Sequence, residues 1–291
     1  VTPVYDVAVV GSSGFLGSAI ALGLEKRGAT VARFTPESPV LKSGSIDERA
    51  RDTRTLVWAA AHVNPILAVE RADLVATERD EFARALGALA ALRRPPRVLF
   101  LSSGGTVYGP PEQAPYSELA APHPVNAYGA LKRTMEEELE KSGLEAVTAR
   151  VSNAYGPGQV PAPGQGVIAH WLSAARGREP ITVYGDRVST RDYVFIDDVV
   201  EAVARIHESA DAVPAILNVG SGVASTLGEV LAAVGSAVGA DRLDIREEPR
   251  RGSDTTHTWL DVTRARDELG WSAEVGLVEG VARAWAWVQT R

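Results

Sequence analysis

The chain has 291 residues, 45% apolar and 23% charged, the proportions of a globular protein rather than a disordered or low-complexity one. Its 30 Lys and Arg against 37 Asp and Glu leave a formal charge of −7, which argues against general binding to nucleic acid or to anionic membranes. With no cysteine, disulfides, thiolate nucleophiles and zinc–thiolate or iron–sulfur sites are excluded, and no run reaches the roughly 20 apolar residues that span a bilayer.

Val4 to Val10 (VYDVAVV) is apolar and rich in β-branched residues, which predicts a buried strand. Asp6 interrupts it and no basic stretch precedes it, so it is not read as a signal peptide, and a cytoplasmic protein is expected. The run leads into Gly11, Gly14 and Gly17, then a helical pattern from Ser18 to about Arg27 that Gly28 closes. Thr30 to Phe34 predicts a second strand, followed by a short polar stretch. Thr55 to Ala60 predicts another strand, and Arg71 to Leu92 a helix ended by Pro95 and Pro96. Arg97 to Leu101 is a strand running into Ser102, Ser103, Gly104, Gly105 and Thr106. A Pro-rich loop over 110–124, a helix from Asn126 to Lys141 and a strand from Ala146 to Val151 follow.

Strands that alternate with helices predict a parallel sheet covered on both faces, an α/β fold of the Rossmann-type doubly wound kind with right-handed crossovers. The second half is less regular. Residues 155–166 are a Gly- and Pro-rich loop; Ile181 to Tyr184 and Arg191 to Ile196 are short strands; Asp197 to Ser209 is a helix. Ala215 to Val219 is a strand expected to rejoin the main sheet. Residues 221–291 hold three helices and a strand near Leu243–Arg246.

Three motifs carry chemistry. A glycine-rich turn between a strand and a helix lets a pyrophosphate approach the backbone at the helix N-terminus, so Gly11, Gly14 and Gly17 point to a dinucleotide. Tyr128 and Lys132 lie four apart on a helix, hence on one face. An ammonium beside a phenol stabilises the phenolate, so Tyr128 becomes a candidate acid–base group and Lys132 its partner. Ser103 and Thr106 follow a parallel strand, where hydroxyls face the ligand crevice. The five histidines, at 62, 123, 170, 207 and 257, have no metal-like spacing, and no metal site is expected.

In this order the motifs resemble the extended short-chain dehydrogenase/reductase family, the NAD-dependent epimerases, dehydratases and ketoreductases of nucleotide sugars. The resemblance covers nearly the whole chain. It continues through Arg150, Asn153, Tyr155, Gly156 and Pro157, through Arg191 to Asp198 (RDYVFIDD), and through Arg250, Arg251 and Asp254 with Leu269, Gly270 and Trp271. It implies a dinucleotide-binding Rossmann lobe over 1–152, rejoined by 193–220, and an interleaved, smaller nucleotide-sugar lobe over 153–192 and 221–291. It implies Tyr128, Lys132, Thr106 and Ser103 as catalytic residues. Cofactor contacts are expected from Gly11, Ser13, Gly14, Phe15, Leu16, Gly17, Arg33, Ile46, Ala59, Ala60, Ala61, Leu101, Ser102, Tyr128, Lys132 and Val151. Substrate contacts are expected from Thr106, Asn153, Val167, Tyr184, Arg191 and Arg251, the two arginines on a diphosphate, whose oxygens match a guanidinium fork. A homodimer paired through the helices at 71–92 and 126–141 is also implied.

Two departures shape the reading. The family usually has Ser or Thr where this chain has Gly104; Thr106, two positions on, would face the same side of an extended segment and stand in for it. NAD-specific members carry an acid at the end of the second strand, where Thr35 stands here, and Arg33 is close enough to meet a 2′-phosphate. NADP(H) is therefore favoured, with NAD the alternative. Gly105 and Thr106 stand where dehydratases carry an acidic pair, so dehydration is not expected. The first reading is an NADPH-dependent 4-ketoreductase of a dTDP- or UDP-linked 4-keto-6-deoxyhexose. The second is a UDP-hexose 4-epimerase with tightly held NAD, and the third a non-catalytic dinucleotide sensor.

Overall fold

The structure is a computed structural model and describes residues 4–110, 112–239, 243–249 and 257–291. Six parallel strands form the central sheet: β1 (Val7–Val10), β2 (Val31–Phe34), β3 (Thr55–Trp58), β4 (Arg97–Ser103), β5 (Ala146–Val151) and β6 (Ile216–Val219). Their order is β6-β5-β4-β3-β1-β2. Such strands are covered on both faces, which is why they read as unbroken apolar runs. Alternate residues feed two cores. Val7, Val9, Val57 and Leu99 pack with Ile20 and Leu24 of α1 (Phe15–Lys26). Ala8, Leu56 and Phe100 pack with Phe82 and Leu86 of α2 (Ala72–Ala90) and with Leu131 and Met135 of α3 (Ala127–Lys141).

The rest of the chain adds α4 (Val167–Gly177), α5 (Ile196–Glu208), α6 (Leu227–Val238) and α7 (Leu277–Gln289). Val199, Val203 and Ile206 of α5 join the first core of the sheet. Trp171 and Leu172 of α4, Val230 and Val234 of α6, and Val281 and Trp285 of α7 build a third core beside it. β6 pairs with β5, Ile216 opposite Thr148 to Val219 opposite Val151, so the chain returns to the sheet after residue 190. Among the described residues no helix is long and apolar enough to cross a membrane.

Two stretches differ from the sequence reading. The polar stretch after β2 contains a hairpin, Leu41–Lys42 against Ser45–Ile46, and a one-turn helix, Glu48–Arg51, capped by Asp47. Two-residue strands are too short to show a period. The single strand expected over Arg191–Ile196 is divided. Thr190–Arg191 pairs with Ser225–Thr226 and His257–Thr258, while Tyr193–Phe195 pairs with Asn153–Tyr155. Asp192 lies between them, 1% exposed, and accepts hydrogen bonds from Ser221 N and Oγ, Gly222 N, Leu260 N and Ser152 Oγ. The chain divides there because that carboxylate turns inward to gather three loops.

Candidate active site

β1 has β2 on one side and β3 on the other, and the helices that follow β1 and β3 pack on opposite faces of the sheet, which opens a crevice between their carboxyl ends. The glycines fit this place individually. Gly11 has φ +85°, and a Cβ there would lie 2.5 Å from Ala60 N. A Cβ on Gly17 would lie 2.1 Å from the Gly11 carbonyl oxygen, so α1 can approach β1 only without one. Gly14 is the N-cap of α1 and its Cβ position is almost clear, 3.4 Å from its nearest neighbour. No side chain caps this helix and no acid occupies its first turn. Free first-turn N–H groups, the dipole and an open approach suit a dinucleotide pyrophosphate.

β4 ends at Ser103, and residues 104–106 form a turn. The strand alternation used to align Thr106 with Gly104 therefore does not apply. Thr106 instead folds back, its hydroxyl donating to Ser103 Oγ at 2.8 Å. A Cβ on Gly104 would stand 2.6 Å from Leu260 Cδ1 and 3.0 Å from the Arg150 carbonyl oxygen. Leu260 fills the place a larger residue would need.

Asn126 caps α3, accepting from Gly129 N at 2.8 Å. A Cβ on Gly129 would be 2.2 Å from the Thr106 carbonyl oxygen, so the first turn of α3 lies against the Ser103–Thr106 turn. Tyr128 belongs to that first turn of α3. Asn153 joins the Ser103–Thr106 turn from beyond β5, its side-chain amide within 4 Å of the Cβ position of Gly105 and donating to the Asp192 carbonyl oxygen at 2.8 Å. One helical turn on, Lys132 is 2% exposed and its Nζ lies 5.5 Å from the centre of the Tyr128 ring. Burial pushes the Tyr128 phenol up, Lys132 pulls it down, and Glu78 pushes it up again. Burial lowers the Lys132 ammonium, but Tyr128 and Glu78 beside it outweigh that and hold it above the usual lysine value.

Glu78 escaped the sequence reading. It lies on α2, 2% exposed, with Oε1 2.8 Å from Lys132 Nζ. Its Oε2 accepts from His62 N at 2.7 Å and Val63 N at 3.2 Å, just beyond β3. A signal was present: Glu78 falls on the buried stripe of α2, in register with Phe82, Ala85, Leu86 and Leu89.

The remaining expected residues divide. Ala59 and Ala60 are half-buried at the end of β3, Ala61 is exposed, and Ser13, Phe15 and Leu16 flank the glycines. The side chains of Ile46, Leu101 and Val151 lie in the cores. Ser102 donates to Glu136 Oε1 at 2.6 Å, and Arg150 binds both oxygens of that carboxylate in the same buried cluster. Arg33 does not stand free for a phosphate: it grips both oxygens of Glu25, at 3.0 and 2.8 Å. Glu25 belongs to the last turns of α1, and that helix runs back from the glycine turn. Farther along the chain, Val167 opens α4, Tyr184 ends the strand Ile181–Tyr184, and half-buried Arg191 donates to the Thr190 carbonyl oxygen at 2.9 Å. Arg251 lies outside the described residues. Among the described residues no cluster of His, Asp and Glu is arranged to hold a metal.

Residues 7–220 match the NAD dependent epimerase/dehydratase family. A UDP-glucose 4-epimerase of Mycolicibacterium smegmatis is 38% identical over 67% of this chain and 62% of that enzyme. A dTDP-6-deoxy-L-talose 4-dehydrogenase (NAD(P)(+)) of Kitasatospora kifunensis is 31% identical over 96% of this chain and 94% of its own. The crystal structure of a Thermus thermophilus UDP-glucose 4-epimerase in complex with NAD superposes with a TM-score of 0.83 at 29% identity, covering 97% of this chain and 98% of that one.

Proposed function

Since the chain belongs to the NAD dependent epimerase/dehydratase family, we propose that it works with NAD at C4 of a nucleoside-diphospho-sugar, as a 4-epimerase. The observation that carries the choice of cofactor is the Arg33–Glu25 pair. A 2′-phosphate would have to compete with a bidentate carboxylate for that guanidinium. The turn beyond β2 instead carries exposed Glu37, which accepts from Thr35 Oγ1 at 2.8 Å. A carboxylate accepts hydrogen bonds from ribose hydroxyls and repels a phosphate.

Bound NAD supplies a hydride acceptor and donor for C4. Tyr128 takes the proton of the C4 hydroxyl as the hydride leaves and returns it once the sugar presents its other face. The paired hydroxyls of Ser103 and Thr106 would hydrogen-bond that oxygen, Lys132 would hold a ribose hydroxyl of the cofactor, and Asn153 with Arg191 would contact the sugar nucleotide. Pairing of two copies through the outer faces of α2 and α3 belongs to the same proposal.

Mass spectrometry of the dinucleotide released on denaturation tests the cofactor. Near-stoichiometric NAD is the expected result. An empty site, or NADP(H), would favour instead a 4-ketoreductase that exchanges its reductant each turnover; the dehydrogenase that aligns almost end to end supports that alternative. Tyr128→Phe is expected to lower turnover by about 10²- to 10⁴-fold with sugar-nucleotide affinity retained. Unchanged turnover would remove Tyr128 from its role.

A further inference from the structure

We propose that Glu78 is a positioning residue of this site: as the buried counter-ion of Lys132 it fixes the ammonium beside Tyr128 and cancels most of that ammonium's field on the phenol. The assignment rests on the reading of Tyr128 as the acid–base group only for its catalytic meaning; the electrostatic claim stands on the geometry. A buried ion pair is a poor stabiliser compared with apolar packing. The stripe of α2 that carries Glu78 is otherwise Phe82, Ala85, Leu86 and Leu89, so packing alone would put an apolar side chain there.

Both oxygens of Glu78 are engaged, and from different elements. Oε2 is anchored on the N–H groups of His62 and Val63, in the loop that leaves β3 at the crevice. Oε1 grips Lys132 on α3 at 2.8 Å. The carboxylate therefore ties the crevice loop to the lysine, and Lys132 cannot swing without losing a charge-assisted bond in a dry interior. Phe100, its ring centre 5.4 Å from Nζ, flanks the ammonium on the sheet side.

The other charges around this pair have partners of their own. His62 turns its ring to Glu81 on α2, at 2.7 Å. On α3, Arg133 pairs with Glu136 and Glu137, and Glu136 is taken further by Arg150 of β5. Lys132 and Glu78 are left as the charges that act on Tyr128, with opposite signs. A lone ammonium would draw the phenol toward ionisation. An ammonium with a carboxylate 2.8 Å from it acts as a dipole, whose field falls off faster, so it draws the phenol toward ionisation less than a lone ammonium would.

The test needs neither substrate nor cofactor. The whole protein is labelled with fluorotyrosine, which brings the phenols into a range where the fold survives, and titrated by fluorine NMR. The Tyr128 signal is assigned by its loss in Tyr128→Phe. In Glu78→Gln the Tyr128 midpoint is expected to fall by about one unit or more; an unmoved midpoint overturns the proposal. Gln leaves a buried ammonium unpaired, which puts folding of that variant at risk. Glu78→Gln/Lys132→Met, which removes both charges, therefore carries the same test. Its midpoint should stay within about half a unit of wild type, since both fields vanish together. A rise of about one unit, as loss of the lysine's pull alone would give, overturns the proposal. If the midpoints move as expected while Tyr128→Phe keeps full turnover, the acid–base role fails and the counter-ion role stands.

Discussion

Arg33 illustrates what one side chain's partner does to a functional reading. From sequence, a cation near the end of β2 suggests a 2′-phosphate. In the structure its guanidinium is committed to Glu25, with both side chains a little over one-third exposed. Glu25 holds it above the usual arginine value, chiefly through the hydrogen bond. An exposed pair of this kind contributes at most about 1 kcal/mol. Arg33→Ala should therefore shift the thermal midpoint only slightly and leave the ratio of NAD to NADP affinity unchanged in a calorimetric titration. A selective loss of NADP affinity, by tenfold or more, would return Arg33 to the phosphate role.

The glycine turn makes the corresponding argument for an element. Three glycines read alike in a sequence but do different work here. Gly17 lets α1 close on β1, and a methyl there meets a carbonyl oxygen at 2.1 Å. Gly14 keeps the approach to the helix end open, and a methyl there meets nothing nearer than 3.4 Å. Gly17→Ala should destabilise the fold by about 1–3 kcal/mol, read as a lower denaturation midpoint in urea. Gly14→Ala should leave that midpoint in place and weaken NAD binding. Equal effects of the two substitutions on stability would remove the distinction. The strands around this turn were legible because parallel strands are apolar throughout, and the helices because their glycine and asparagine ends are local signals. The Leu41–Ile46 hairpin was not legible, being too short for a period. Nor was the break at Asp192, whose cause is three loops distant in sequence. The closeness of Tyr128 and Lys132 was readable because a four-residue spacing on one helix carries it, whereas the Thr106–Ser103 hydroxyl contact comes from a turn where strand alternation was expected. Glu78 and Leu260 come from other elements and reach Lys132 and Gly104 only once the chain has packed.

At the scale of the whole molecule, the sheet is closed by late segments of the chain, and buried polar residues hold the closures. Asn218 in β6, fully buried, donates from Nδ2 to the carbonyl oxygens of Tyr116 and Asp261 and accepts from the Tyr108 hydroxyl, joining the sheet to the loops that carry those residues. At the opposite end of the sheet, His207 of α5 is 8% exposed and shares a hydrogen bond with Thr55 Oγ1 at the start of β3. Burial disfavours its charged form and Arg54 adds to this, against opposing pulls from Asp6 and Glu208, so its pKa lies below the ordinary 6.5. The unfolded chain then binds this proton more readily than the folded one. Stability from His207 is fully present above pH 6.5 and is lost as the pH falls from there through the folded-state value. His207→Asn keeps a partner for Thr55 and removes the titration. Between pH 7.5 and 5.5 the thermal midpoint of the wild type should therefore drop further than that of His207→Asn. Parallel drops in the two proteins would mean that the acid sensitivity of the closed sheet lies elsewhere.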